Sequence, residues 1–265
     1  MRKINKVKIF ANKNEKSEKI KEELIQELEK YNFEITEKDY ELGIAIGGDG
    51  SFLRMVNNAN FNSDVYYVGI NTGTLGFLQE IKPDNLNSFV DALDKNNFKM
   101  DKIGTLETKI TTNDSISRYY SLNEIVVRDA ELNTLTLEIY VDNCFLEKYV
   151  GDGILVSTSV GSSAYNLSFN GSLIYNTLHT LQITPIAPLN TKAYRSLLTP
   201  VVLPEKCQIS IKPMKKDLII TLDGNNKRYE NVTKIECFVK NKKIKFLRMK
   251  EYNFINIVNE KFLKD

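Results

Sequence analysis

The stretch Gly47-Gly48-Asp49-Gly50-Ser51 sets one carboxylate among glycines. It follows an apolar run at 42–46 that has the length of a buried strand, and precedes Phe52, Leu53 and Val56, spaced as the start of a helix. At such a switch glycines let main-chain N–H groups approach an anion, and the positive end of the helix favours a phosphate. Gly47, Gly48 and Gly50 are therefore candidate phosphate-binding residues. An acid in that place has a further use, because phosphoryl transfer to an alcohol needs a group that orients the hydroxyl or accepts its proton. Asp49 is the candidate catalytic residue. The competing reading is a tight turn with a helix-capping Asp. The Lys-Ser/Thr of a Walker A loop is missing, so this is not a P-loop.

Three further segments have the same character. Asn71-Thr72-Gly73-Thr74-Leu75-Gly76-Phe77-Leu78 follows the apolar run at 65–70, and in an open parallel sheet the loops after neighbouring strands line one crevice. Phe77 either stacks on a base or belongs to the core. Gly151-Asp152-Gly153 leads through Ser157, Thr158 and Ser159 to Ser163-Ala164-Tyr165-Asn166-Leu167-Ser168, a small-residue loop expected to run into a helix near Ser163. Its hydroxyls, open amides and one aromatic suit a nucleotide, with Tyr165 free to stack and the helix start free to hold phosphate; the plain alternative is a Ser-rich surface loop. Asn123-Glu124 opens an apolar strand, where the Glu can take two ribose hydroxyls or both residues can satisfy a turn. His179, the only histidine, has no GxSxG elbow to complete a hydrolase triad. No His/Cys cluster supports a tightly held transition metal.

These segments need a scaffold, and hydrophobic periodicity supplies one. Val7, Ile9 and Phe10 form a short strand; Ser17 is the expected N-cap of a helix carrying Ile20, Leu24, Leu28 and Tyr31; Pro83 and Asp84 open another with Leu86, Phe89, Val90 and Leu93. Strands alternating with helices predict a parallel sheet with helices on its faces. From about Lys102 the pattern becomes alternating, as at Leu135, Leu137, Ile139 and Val141, with a hairpin turn expected at Asp142-Asn143. The fold class predicted is α/β plus all-β: a Rossmann-like domain at 1–101, a β-rich, β-sandwich-like domain at 102–245, and a C-terminal segment at 246–265 whose helix, with Ile255, Val258 and Phe262, returns to the first domain.

Composition bounds the partners. The chain has 265 residues and a formal net charge of +2, which is no electrostatic footprint for nucleic acid. The basic run Lys240, Lys242, Lys243 and Lys245 alternates with Ile244 and Phe246, as on a solvated strand face. No run of 18 apolar residues is present, and the three cysteines form no CxxC pair. A cytoplasmic protein is expected, with no membrane partner.

Taken in order, GGDGS at 47–51, NTGTLGFL at 71–78, Asn123-Glu124, GDG at 151–153 and GSSAYNLS at 161–168 resemble the NAD kinase family. GGDG also occurs in phosphofructokinases and in diacylglycerol and sphingosine kinases; the other segments at these separations are the specific part. The resemblance implies transfer of the terminal phosphoryl group of ATP or polyphosphate to the adenosine 2′-hydroxyl of NAD. It implies Asp49 as the activating base, Gly50 and Arg54 beside dinucleotide and phosphates, Asn123 and Glu124 on ribose and base, and Asp152 on the nicotinamide side. Ser163, Ala164, Tyr165, Asn166, Leu167 and Ser168 would form the adenine-side clamp. Ala187 falls near the substrate and Asp223-Gly224-Asn225 at a last binding turn. Val150 stands at a substrate-side position where many members carry a basic residue. Magnesium, or another divalent cation, would arrive with ATP, and a homotetramer or homodimer is the implied assembly. The alternatives are a lipid or sugar kinase sharing the GGDG loop, and a non-catalytic dinucleotide-binding regulator, which would have no need of Asp49.

Overall fold

The computed structural model describes residues 3–73, 76–240 and 243–264; Thr74 and Leu75 of the second glycine segment and Lys242 of the basic run lie outside them. In chain order the elements begin with β1 (Lys6–Ala11), α1 (Glu15–Lys30), β2 (Glu34–Ile35), β3 (Leu42–Gly47), α2 (Asp49–Asn58), β4 (Tyr66–Asn71), α3 (Leu86–Asp94) and β5 (Phe98–Ile103). Then follow β6 (Leu106–Thr112), β7 (Ile116–Ser121), β8 (Glu124–Asp129), β9 (Leu135–Val141), β10 (Cys144–Gly151), β11 (Gly153–Thr158), β12 (Thr180–Ile186) and β13 (Val201–Pro204). The chain continues through β14 (Ile209–Pro213), β15 (Leu218–Leu222), β16 (Asn225–Tyr229), β17 (Val232–Val239), β18 (Ile244–Met249) and α4 (Phe254–Phe262). Two compact units result, one of residues Met1–Ile103 with Lys243–Asp265 and one of Gly104–Lys242. No helix among the described residues is long and apolar enough to cross a membrane.

The first unit is built on a six-stranded sheet in the order β2-β1-β3-β4-β18-β5. β1 to β4 and β18 run parallel, and β5 is antiparallel to β18. β3 is buried at every position, as a strand covered on both faces must be. Ile20, Leu24 and Leu28 of α1, at helical spacing, all enter the core with Leu42, Ile44 and Ile46. The cap of α1 differs from expectation. Asn14 is the N-cap and its side chain accepts from the Ser17 amide, while Ser17 itself is buried in the first turn. Asn competes equally well for that position, and it lies the three residues upstream that the bond requires. The strand β18 was not anticipated as part of this sheet. Its Arg248 is 2% exposed, with Nη1 2.9 Å from Glu80 and Nε 3.3 Å from Asp101, so a buried cation is compensated on two sides.

The second unit packs two antiparallel six-stranded sheets, β10-β9-β14-β17-β6-β7 and β13-β12-β11-β8-β15-β16, around one continuous core that includes Leu137, Ile139, Val156, Ile183, Ile211 and Ile220. Asp142 and Asn143 both have positive φ, 49° and 65°, the primed-turn geometry that fits a tight hairpin between β9 and β10. The helix expected near Ser163 is instead a pair of 3₁₀ turns, Val160–Ser163 and Tyr165–Phe169. The reason lies in the side chains. The Ser162 hydroxyl donates to the carbonyl of Ile174 and accepts the Ile174 amide, and the Asn166 amide donates to the Ser162 carbonyl. Such side-chain bonds to main chain replace the regular helical ladder, and a start this short offers no developed helix dipole for a phosphate.

Candidate active site

In the first unit, Gly47 closes β3 with φ of 150°, a conformation open to glycine, and Gly48 is the N-cap of α2. Asp49 is the first helical residue. Its carboxylate is fixed by the second glycine segment: Oδ2 accepts the main-chain N–H of Phe77 and Oδ1 that of Leu78, each at 3.0 Å. Gly76 is required beside it, because any Cβ there would run into this carboxylate. The two segments, which follow neighbouring strands β3 and β4, are thus joined through Asp49. The carboxylate remains about one-third exposed, and each oxygen keeps a lone pair for a further donor. A Cβ placed on Gly48 or Gly73 would meet nothing within 4 Å, so the main chain is open to an approaching anion at both positions. The Asp49 and Gly50 amides that open α2 have no partner within the helix by its geometry, while the Ser51 amide donates to the Gly48 carbonyl at 2.8 Å.

The supports of this loop were not legible in advance. Asn12, just past β1, accepts from the Ser51 hydroxyl at 2.8 Å and from Arg54 Nη2 at 2.5 Å. Arg54 is thereby folded back along α2. Gln79 is fully buried and its amide donates to the Gly48 carbonyl at 2.5 Å. The one signal that pointed to Asn12 was its place at the end of a strand next to β3. Of the two readings of Phe77, the packing is that of a core side chain. Its ring is buried against Phe254 and Ile257 of α4, with centroids 5.9 Å from Phe254 and 5.6 Å from Phe262, and Lys261 Nζ lies 4.7 Å from its centroid. The side chain therefore has its faces taken by the C-terminal helix rather than left open for a base, while its main-chain N–H serves Asp49.

The second unit holds the other candidates in two groups. Asn123 and Glu124 sit at the start of β8, both buried. The Asp223 carboxylate, at the tip of the β15–β16 turn, accepts the main-chain N–H groups of Leu122, Asn123 and Glu124 at 2.6, 2.8 and 3.2 Å. Glu124 Oε2 is buried without a hydrogen-bond partner. Burial, and then the charge of Asp223, push the Glu124 carboxyl up to about 8, with the nearby Tyr165 amide pulling the other way. Burial pushes Asp223 up to about 6 against the pull of its three amides. Burial thus favours the protonated form of both carboxyls, and more strongly for Glu124.

Tyr165 is exposed beside this group. Its hydroxyl accepts from Arg128 Nη2 at 3.0 Å, and its ring meets Phe169 edge-on at 4.8 Å. Ser163, Ala164 and Leu167 are half-buried, and Ser168 is exposed. Asn166 is different: it is fully buried, and its carbonyl oxygen accepts from Thr184 Oγ1 at 2.6 Å. Its side chain is bonded within the loop, to the Thr184 hydroxyl and the Ser162 carbonyl. The remaining residues cluster where β10, β11 and β12 meet. Asp152 is exposed, and its amide donates to Ile186 at 3.0 Å. Ala187 is exposed with φ of 45°. Val150 is buried, and its amide donates to Ser196 Oγ at 2.9 Å, so its side chain is packed inward while Lys148, on the same strand, is exposed. His179 Nδ1 lies 3.3 Å from Glu205.

An α/β unit with a carboxylate at a glycine-rich strand-to-helix switch, followed by a β-rich unit with a buried polar strand start, has the parts that a phosphotransferase requires. The sequence matches the models of the ATP-NAD kinase N-terminal domain over residues 2–98 and of the ATP-NAD kinase C-terminal domain over residues 122–248. It is 39% identical over 269 residues to an NAD kinase of Finegoldia magna, covering 97% of each chain. It is 30% identical over 262 residues to NAD kinase 1 of Oceanobacillus iheyensis, covering 97% of this chain and 98% of the relative. The fold is shared with yeast NADH kinase solved with NADH, at a TM-score of 0.86 and 20% identity, over 100% of this chain and 90% of that one. An Archaeoglobus fulgidus NAD kinase solved with ATP gives a TM-score of 0.76 at 20% identity, over 96% and 98%. The chain belongs to the ATP-NAD kinase family.

Proposed function

We propose that the chain transfers the terminal phosphoryl group of ATP, or of polyphosphate, to the adenosine 2′-hydroxyl of NAD, giving NADP. Asp49 acts as general base: it takes the hydroxyl proton as the oxygen attacks phosphorus and the bond to the departing phosphate breaks. The observation that carries this reading is the Asp49 carboxylate itself, held by the amides of Phe77 and Leu78 at the head of α2 beside the open main chain of Gly48. A capping Asp would turn inward to its own helix; this one is tied to a second loop and keeps part of its surface in solvent. Gly47, Gly48 and Gly50 hold phosphate, and Asn123, Glu124, Tyr165 and Asp152 hold the dinucleotide. Incubation of the purified protein with ATP, magnesium and NAD should yield NADP and ADP in equal amounts, and a lipid or hexose acceptor should yield neither phosphorylated product nor ADP above background.

Among the described residues, no three His, Cys, Asp or Glu side chains stand together as a metal site. Magnesium enters with the donor, shared among its phosphates. EDTA should abolish activity, and added magnesium should restore it. The protein works in the cytoplasm as a homotetramer or homodimer. Edge strand β13 and the segment before it support self-association, since Tyr194, Leu198 and Val202 are all about half exposed and an uncovered edge with apolar side chains invites pairing. A monomeric mass by light scattering would overturn that assembly.

A further inference from the structure

The phosphoryl group in transfer calls for more than one cation around it in the first unit. A phosphoryl group in transfer carries negative charge on its oxygens, and a cation beside it is a large part of catalysis. The usual lysine of a Walker A loop is missing here. Arg54 on α2 uses one guanidinium nitrogen, Nη2, on Asn12 and Ser51 and is exposed, with Nη1 beside Gly50, so it meets phosphate from the α2 side. Lys261 is placed otherwise. It sits in the last turn of α4, its Nζ is 3.9 Å from Asp49 Oδ2 and 4.7 Å from the Phe77 ring centroid, and about one-third of its side chain is exposed.

We propose that Lys261 is a further catalytic residue of this centre, the cation that meets the transferring phosphoryl group beside Asp49. Three features carry the assignment. The stem is guided by the Phe77 ring, so the ammonium is held over a fixed platform rather than trailing in solvent. That platform is anchored, because Phe254, Ile257 and Phe77 form one buried cluster. The ammonium and the base form a loose ion pair at 3.9 Å, so an incoming phosphate oxygen can compete with Asp49 for the ammonium. The proton balance is simple: the 2′-oxygen loses its proton to Asp49, the new O–P bond forms as the donor's P–O bond breaks, and Lys261 takes no part in the proton transfer. As Asp49 is neutralised by that proton, its hold on the ammonium falls, and Lys261 is free to pair with the phosphoryl oxygens at the moment they need it.

The proposal rests on the kinase reading above, and the experiment separates the two. Wild-type protein is first assayed for NADP formation; no product there overturns the kinase reading itself. In an active preparation, Lys261→Met keeps the stem on Phe77 and removes only the charge. Loss of one charge-assisted hydrogen bond to phosphate should lower turnover by roughly 10- to 100-fold and weaken binding of a non-hydrolysable ATP analogue, with the NAD requirement nearly unchanged. Lys261→Arg should recover a substantial part of both. In the Asp49→Asn background the Lys261→Met substitution should cost far less than it does alone, as expected for groups acting as a unit. Unchanged turnover and analogue affinity in Lys261→Met would overturn the assignment. So would a loss that Lys261→Arg fails to recover while the melting temperature falls, which would make Lys261 a packing residue of α4.

Discussion

Asp223 Oδ1 lies 2.8 Å from the main-chain nitrogen of Asn123, a hundred residues earlier in the chain. With the amides of Leu122 and Glu124 also on this carboxylate, one side chain at the β15–β16 turn fixes the start of β8 and the direction in which Asn123 and Glu124 leave the backbone. Asp223 has φ of 44° and Gly224 of 81°, so the turn that presents the carboxylate needs residues tolerant of the left-handed region. Replacing Asp223 with Ala strands three amides in a buried place. The expected cost is about 2–4 kcal/mol by urea unfolding, from lost charge-assisted bonds and unsatisfied donors. Asp223→Asn retains an acceptor and should cost less than half of that. A cost below about 0.5 kcal/mol for Asp223→Ala would mean that the strand start is held by other means.

The Glu124 proton predicts a pH effect on stability. The folded-state value is raised, from 4.5 to about 8 for Glu124 and from 3.8 to about 6 for Asp223. The folded protein therefore binds these protons more tightly than the unfolded chain does. Their contribution is fully present below the unfolded values and is lost as pH rises, over a window from about 4.5 to about 8. Glu124→Gln imitates the protonated acid and removes the larger part of the slope. Wild type and Glu124→Gln should differ little near pH 4, with the variant more stable by on the order of 3–4 kcal/mol at pH 9. Chemical unfolding at the two pH values measures this directly, and parallel curves for the two proteins would exclude a buried proton on Glu124.

The parts of this architecture that were legible in the sequence are those written in short-range patterns. Of the stripe Ile20, Leu24, Leu28 and Tyr31 the first three are buried as the spacing required, while Tyr31, at the C-cap, is exposed, and the turn at Asp142-Asn143 follows from two residues that accept positive φ. The glycine segment at 47–50 sits at the predicted switch from β3 to α2. What escaped is long-range. Nothing local in Ile244–Met249, an alternation of apolar and basic residues, says that it inserts between β4 and β5. Nor does a lone Arg248 reveal that Glu80 and Asp101 await it in the core. The same holds at the site: Asn12, Gln79 and Lys261 reach the Asp49 loop from three separate elements, and only the folded chain puts them there. Phe77 illustrates the intermediate case, since an aromatic after a glycine turn suits base or core equally until its neighbours are known.

Asp49→Asn should lower turnover by on the order of 10²–10⁴, the loss of a positioned general base, with the NAD requirement changed far less. A second effect follows from the geometry. Both carboxylate oxygens accept main-chain donors, and an amide nitrogen can accept neither Phe77 nor Leu78. One N–H is left facing a donor, so the variant should also lose about 1 kcal/mol or more of stability. Single-turnover kinetics alongside thermal unfolding separates the two losses. A variant that retains near wild-type turnover would reduce Asp49 to a loop staple.

Tyr165 and Asn166 are neighbours in sequence and opposites in placement, and that contrast gives the last test. The Tyr165 ring is exposed, leans on Phe169 and holds Arg128 through its hydroxyl, so it has a face to offer an adenine. Its truncation to Ala removes little buried area from the core. The NAD requirement should rise by about 10-fold or more, in line with 1–3 kcal/mol for loss of one base-stacking aromatic, while the ATP requirement and melting temperature stay nearly constant. Asn166, fully buried between the Ser162 carbonyl and the Thr184 hydroxyl, should behave in the reverse manner. Asn166→Ala leaves both partners unsatisfied and opens a small void, for a cost of about 1–3 kcal/mol, with the two substrate requirements rising only as far as the loop as a whole loosens. Steady-state kinetics and calorimetry on both variants decide the matter. If Tyr165→Ala instead weakens ATP and spares NAD, the two nucleotides have been assigned to the wrong loops, and the 3₁₀ segment binds the donor.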